Sequence, residues 1–555
     1  MNMKKYLLII LLAAGIAGTL TTEGAGRRSG SNVPSQGGIT SSTETGQLSA
    51  DRKLRTAAAI IDNYYVETVD NDTLVDEAIR AMLRTLDPHS AYTTSTETAE
   101  FTEPLDGKFS GIGIQFNMLE DTVYVIQPTA GGPSERVGIL PGDRILSAND
   151  TVIAGVKMPT NNVRKILRGP KGSTVDLKVK RGSDIIDFTL VRDDIPVYSV
   201  DEIFMADSVT GYIRITRFAE ETAREAAEAI ARLKAQGMEN LIIDLSDNGG
   251  GYLGSAFELA SQFLPAGTPV VSTAGRRVQP QRYVTPTEGD FTGRVVVIAN
   301  QYSASAAEIF AGAIQDNDRG LIVGRRTFGK GLVQRPFPFP DGSMIRLTVS
   351  RYYTPSGRCI QKHYDRGHSE DYQREVYQRY SAGELWNADS IARPDSLLYH
   401  TLNNHRPVYG GGGIIPDVFV PADTSYYSTY YRDIVAKGLI NRTVINYVDT
   451  HRAELMAQYP DAEAYLARFE VPEALTQQLI DKATEAGVEF KPDMWERSKP
   501  LVLGAMKGLI SRDLYENGSY FRSLSHLNKD YGEALRLIND PRRYRTLLQG
   551  EYTPQ

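Results

Sequence analysis

Two short apolar runs constrain this chain more than any other feature. Residues 241–245 read LIIDL and residues 294–299 read RVVVIA. Each has strand length and apolar, β-branched content, and each is followed by small residues and then a helical pattern. Upstream of the first run, 209–218 (VTGYIRITRF) reads as a strand and 219–236 as an amphipathic helix closed by Gly237. Strand, helix, strand in that order implies a right-handed parallel crossover. The expected core is therefore α/β, built from parallel βαβ units.

The turns after these two runs carry the chemistry. Residues 246–251 are Ser-Asp-Asn-Gly-Gly-Gly. A glycine run at the carboxyl end of a parallel strand brings backbone amides close to a ligand, and Gly250, then Gly251, are the candidate donors. After the second run, the stretch 300–334 enters a helix at about Ser305. A hydroxyl at a helix N-terminus suits a nucleophile, because the free amide of Ala306 favours negative charge beside it. The same residues also fit a capping box, Ser305 with Glu308. Twenty-five residues on, Lys330 lies between Gly329 and Gly331 beside Phe328 and Leu332. That apolar setting disfavours an ammonium and makes Lys330 a candidate base, against the plainer reading of a solvated turn lysine. To act near neutral pH its pKa must fall from about 10.4 to about 7.

Composition narrows the choices. The 555 residues allow about three domains, and a formal charge of −7 argues against a general nucleic-acid binder. One cysteine, Cys359, forms no internal disulfide and no Cys-rich metal site. None of the seven histidines falls between residues 90 and 362, and no H-E-x-x-H, G-x-S-x-G or Ser-x-x-Lys occurs. Zinc-protease, α/β-hydrolase and penicillin-binding readings are weakened accordingly, and no metal or cofactor is expected.

Along the chain, Lys4 and Lys5 precede an apolar run over 6–17, which reads as an export signal or an uncleaved membrane anchor. Residues 21–48 are Gly/Ser/Thr-rich and read as a tether. Apolar spacing predicts helices over 51–104, the second started by Asp72 and Thr73, with His89 in LDPHSAY structural. Over 105–192, alternating residues such as Ile112, Ile114, Phe116, Val123 and Val125 predict antiparallel strands, with a helix near 161–167. Residues 363–407 read as an insertion and 422–555 as helices, packed on the core or on a second copy.

Several of these stretches carry a family resemblance. Ser303-Ala-Ser305-Ala-Ala-Glu308, Gly329-Lys330-Gly331 with Gln334, the loop 246–251 and RYYTPSGRCIQ (351–361) resemble motifs of the carboxyl-terminal processing, or tail-specific, proteases. Ala307, Ser246 and Gly249 depart from that pattern, and Ser246 replaces a usual arginine. The resemblance implies an α/β (α+β) peptidase core over 193–421, an inserted β-rich PDZ domain and helical flanks. It implies Ser305 rather than Ser303 as nucleophile, Lys330 as base, Gln334 as the residue positioning the lysine, and Ala306 and Gly250 as oxyanion donors. Gly111, Ile112, Gly113 and Ile114, with 138–143 (GILPGD), resemble the carboxylate-binding part of a PDZ domain. The implied partners are polypeptides with free, apolar carboxyl termini, met in the periplasm. A non-catalytic PDZ adaptor and a non-peptide esterase are the alternatives.

Overall fold

A computed structural model describes residues 49–515 and 520–551. The expected export segment and the whole of the tether, 21–48, lie outside the described residues. The chain divides into two compact units, 1–78 and 79–555. In the first, the helix Ala50–Tyr64 buries none of its residues. The helix Asn71–Arg84 is started by Asp70, which accepts from the Asp72 amide and the Thr73 hydroxyl, slightly earlier than the sequence suggested.

The second unit is organised on a six-stranded sheet whose spatial order follows the chain: Val200–Met205, Thr210–Ile215, Asn240–Asp244, Val295–Ala299, Leu321–Gly324 and Val418–Phe419. The first pair is antiparallel and the rest are parallel. Alternation along these strands explains their apolar runs, because both faces are covered. Ile243, Val295 and Val297 face the helices Thr222–Ala235, Leu253–Ser261 and Ala306–Asp316. Ile242, Val296 and Ile298 face the other way, against Ala534, Leu537 and Ile538 of the helix Lys529–Ile538 and Tyr544 of Pro541–Leu548. Residues 529–548 thus cover one face of the sheet. Between them, Thr429–Ala436, Leu439–Gln458, Glu473–Glu485 and Pro492–Leu514 pack around a core of their own that includes Tyr465, Leu479 and Val502.

An antiparallel sheet in the order Ile114–Leu119, Thr122–Pro128, Arg144–Ala148, Thr174–Arg181, Asp184–Val191, with the helix Thr160–Leu167, makes the β-rich unit. Its entry and exit are zipped together, Lys108–Gly111 against Asp193–Pro196. A second sheet in the larger unit holds the hairpin Leu332–Pro338 and Met344–Tyr353, to whose second strand Ala91–Thr93 is paired.

Candidate active site

Ser305 sits between the strand Val295–Ala299 and the helix Ala306–Asp316 at φ +58°, ψ −115°, a conformation that a non-glycine residue holds only when its surroundings enforce it. The loop 246–251 supplies that enforcement in part. Gly250 has φ +98°, and a Cβ there would meet the Ala304 carbonyl oxygen and Ser305 Cβ at 2.7 Å and the Ala306 amide at 2.9 Å. The two loops are therefore in backbone contact, which only glycine allows. Ser303 is placed differently: its hydroxyl accepts from the Asn300 amide and donates to the Leu245 carbonyl, and it is buried.

One carboxylate ties the serine to the lysine loop. Glu308 is fully buried and accepts from the Ser305 amide at 2.9 Å, the Lys330 amide at 2.8 Å, the Gly329 amide at 2.7 Å and the Thr327 hydroxyl. Ser305 and Lys330 donate to the same oxygen, so their backbones stand within two hydrogen-bond lengths of each other. The Glu308 amide in turn bonds the Ser305 carbonyl at 2.9 Å, and the two residues form the capping box that the sequence also fits. Burial raises the Glu308 pKa against the pull of these donors. The buried Tyr352 hydroxyl also reaches the carbonyls of both Ser305 and Lys330.

Burial, and next the charge of Arg346, draw the Lys330 pKa down to about 8, while Glu308 and Asp87 oppose them. The Phe328 ring lies against Tyr372, and the Lys362 ammonium stands over it at 3.9 Å. The Lys330 ammonium donates to Gln334 Oε1 at 3.4 Å, and Gln334 Nε2 donates to the His89 carbonyl. LDPHSAY therefore reaches the site through its backbone. The His89 ring is desolvated, its pKa lowered to about 3, and bonds the Tyr372 hydroxyl.

The Gly250 amide donates to Asn248 Oδ1 at 2.8 Å, whereas the Ala306 amide has no acceptor among the described residues. Gly251, at φ +149°, is packed against the Phe218 carbonyl. Beside Ser246, where an arginine was expected, Arg214 of the neighbouring strand lies opposite Asp244 and 3.6 Å from Asp201. Far from this cluster in the sequence, Gly111, Ile112, Gly113 and Ile114 lead into the edge strand of the β-rich unit. Ile112 is buried in its core, Gly113 has φ +72°, and Ile112 to Ile114 line a cavity of about 370 Å³. Among the described residues no cluster of His, Cys, Asp and Glu is arranged to hold a metal ion.

Comparison with known proteins places these features. The model of peptidase family S41 matches residues 209–373 and that of the PDZ domain residues 110–203. The N-terminal domain of the activating protease CtpB matches 12–98, and a family of unknown function matches 430–516. The carboxy-terminal processing protease CtpB of Bacillus subtilis is 34% identical over 365 residues, spanning 63% of this chain and 75% of that protein. The chain belongs to the carboxy-terminal processing proteases. The carboxy-terminal-processing protease of Bartonella bacilliformis is 35% identical over 305 residues, 54% of this chain and 69% of its own. Among solved structures, the photosystem II D1 C-terminal processing protease is 30% identical, covering 56% of this chain and 83% of its own, with a TM-score of 0.33.

This processing protease is thus a serine peptidase, and its sequence left several supporting residues unassigned. Glu308 and Tyr352 lay in family-like stretches but were given no role beyond a helix cap for Glu308, and Arg346 had no local signal. The 363–407 stretch, read as a plain insertion, contributes the helix Ser369–Ser381, whose Arg379 donates to the Thr327 and Phe328 carbonyls behind the lysine loop.

Proposed function

We propose that this enzyme cleaves exported polypeptides, selected by an apolar free carboxyl terminus, through a Ser305–Lys330 dyad. In this reading residues 1–20 direct export to the periplasm, and 105–192 form the PDZ domain that captures the tail through Gly111, Ile112, Gly113 and Ile114. The neutral Lys330 amine takes the proton of the Ser305 hydroxyl as its oxygen bonds to the scissile carbonyl carbon. The tetrahedral oxyanion is held by the Ala306 amide and by Gly250, once Asn248 releases the latter. Collapse breaks the C–N bond, the lysine returns the proton to the departing amine, and water hydrolyses the acyl-enzyme by the same route. Gln334, tied to His89, holds the amine on line.

The observation that carries this reading is the shared Glu308 oxygen, which fixes Ser305 and Lys330 together while burial lowers the lysine pKa. An adaptor has no use for a desolvated lysine held beside a strained serine. The test is cleavage of an unfolded protein with an apolar carboxyl terminus by wild type, Ser305→Ala and Lys330→Ala, followed by intact-mass analysis. Both variants are expected to lose turnover by at least about 10³-fold. Retention of most activity in either variant overturns the dyad. For the tail-capture half, Ile114 is the residue to charge, since charging the buried Ile112 would unfold the β-rich unit itself.

A further inference from the structure

The cavity beside Ile112–Ile114 is not made by the β-rich unit alone. Its lining includes Asn441 of the helix Leu439–Gln458 and Arg512 of the helix Pro492–Leu514. These helices are held there by a built interface. Ile445, buried, packs against Leu119, Tyr124 and Ile126, and Asp449 accepts from Arg144 at 2.7 Å. The helical region that matches only a family of unknown function therefore supplies part of the wall of the groove.

The edge strand divides that wall into two faces. Ile114, Phe116 and Met118 turn toward the core of the β-rich unit, while Leu119, which alternates with them and shares its face with Gln115 and Asn117, packs with Ile126 and Ile445 on the outer side. Ile114–Leu119 is the terminal strand of its sheet, so its free edge can pair with an extended peptide. Side chains of such a peptide alternate as those of the strand do. With the terminal residue directed toward Ile114 and Leu167, the third from the end points the same way. The second and fourth point outward, to the side of Ile445, one helical turn from Asn441, which lines the cavity together with Arg512. The lining of the cavity contains three arginines and no carboxylate. Arg512 gives its Nε and Nη2 to Asp513 Oδ1, each at 3.3 Å, and no described residue accepts from its Nη1.

We infer that Arg512, with Asn441, reads an acidic side chain at the second or fourth position from the carboxyl terminus of the captured polypeptide. The C-terminal helices thereby set substrate specificity from outside the β-rich unit. This inference rests on the tail-capture reading of the groove given above, and it adds a charge requirement on alternate positions to the apolar terminal residue. A guanidinium can form a charge-assisted hydrogen bond to a carboxylate there, whereas lysine at the same place on the peptide would meet a like charge.

The test is binding of fluorescent ten-residue peptides to the full chain carrying Ser305→Ala, which keeps the peptides intact. All peptides end in the same apolar residue, and aspartate is moved through the second, third and fourth positions from the end in an otherwise neutral sequence. Aspartate at the second or fourth position is expected to tighten binding about tenfold, and at the third position to have no such effect. Arg512→Gln should erase that gain. Asn441→Asp, an exposed replacement that spares the Arg512–Asp513 pair, should turn the gain into a loss and favour lysine at the same position. An equal gain at all three positions, or a gain that survives both substitutions, overturns the inference and leaves tail capture standing. If amidated peptides bind as well as those with a free carboxylate, the tail-capture reading itself fails and the inference with it.

Discussion

At the residue scale the proposed dyad divides the work between Lys330, which would have to lose a proton, and Glu308, which holds the loop that carries it. The folded pKa of Lys330 lies at about 8, below its ordinary value of 10.5. The proposed mechanism uses the neutral amine, so kcat/KM should rise about tenfold per pH unit up to about 8 and level off above it. Arg346 is the foremost cation that lowers this value. Arg346→Met should therefore let Lys330 hold its proton to higher pH, and a stopped assay across pH 6–10 should show the midpoint displaced upward. Glu308→Gln tests the tether. A glutamine has one acceptor oxygen where the carboxylate serves four donors, so at least one amide of the lysine loop must face an NH₂ group. The expected cost is about 3 kcal/mol of stability, read as a lowered denaturation midpoint, with a fall of more than tenfold in kcat/KM. Ser305, Lys330 and Gln334 stood out in the sequence because the motif is local. Tyr352, though inside a family-like stretch, and Arg346, in an alternating strand, showed no role in the sequence, because the contacts that give them one form only when the hairpin folds against the Ala306 helix.

At the scale of elements, the two apolar runs of the core were legible because burial on both faces leaves a continuous signal in five residues. What covers their second face was not, for the helix Lys529–Ile538 follows them by more than two hundred residues and reads as an ordinary amphipathic helix. Its anchor is specific. Asp530 pairs with Arg325 at the end of the strand Leu321–Gly324 through two bonds of 2.8 and 2.9 Å, both side chains largely buried. Asp530→Ala strands a buried guanidinium and should cost about 3–5 kcal/mol by chemical denaturation. The double substitution Arg325→Met with Asp530→Leu should recover much of that loss, and a cycle over the four proteins measures the coupling. The strand pattern of the β-rich unit and its helix Thr160–Leu167 were also visible, each being set by residues close in sequence.

On the scale of the whole molecule, the β-rich unit is fastened at two places, by the zipped strands at its root and by the helices around Ile445. Ile445→Asp puts an unpaired charge into the second fastening alone. Hydrogen exchange should then quicken along Thr122–Pro128 and Leu439–Gln458, while the six-stranded sheet keeps its protection. None of this second fastening could be read from one sequence, because it joins segments whose patterns are complete without each other.

The order of the six-stranded sheet has a further meaning. Its strands are laid down from one edge to the other in the sequence in which they are synthesised, and the layer that seals their second face comes from residues 529–548, more than a hundred residues after the last of those strands. A nascent chain can therefore hold serine, lysine and glutamate in hand and still lack a finished enzyme. The helices over 529–548 act as a closing signature: until they dock, the sheet that carries the serine turn keeps one apolar face open to water.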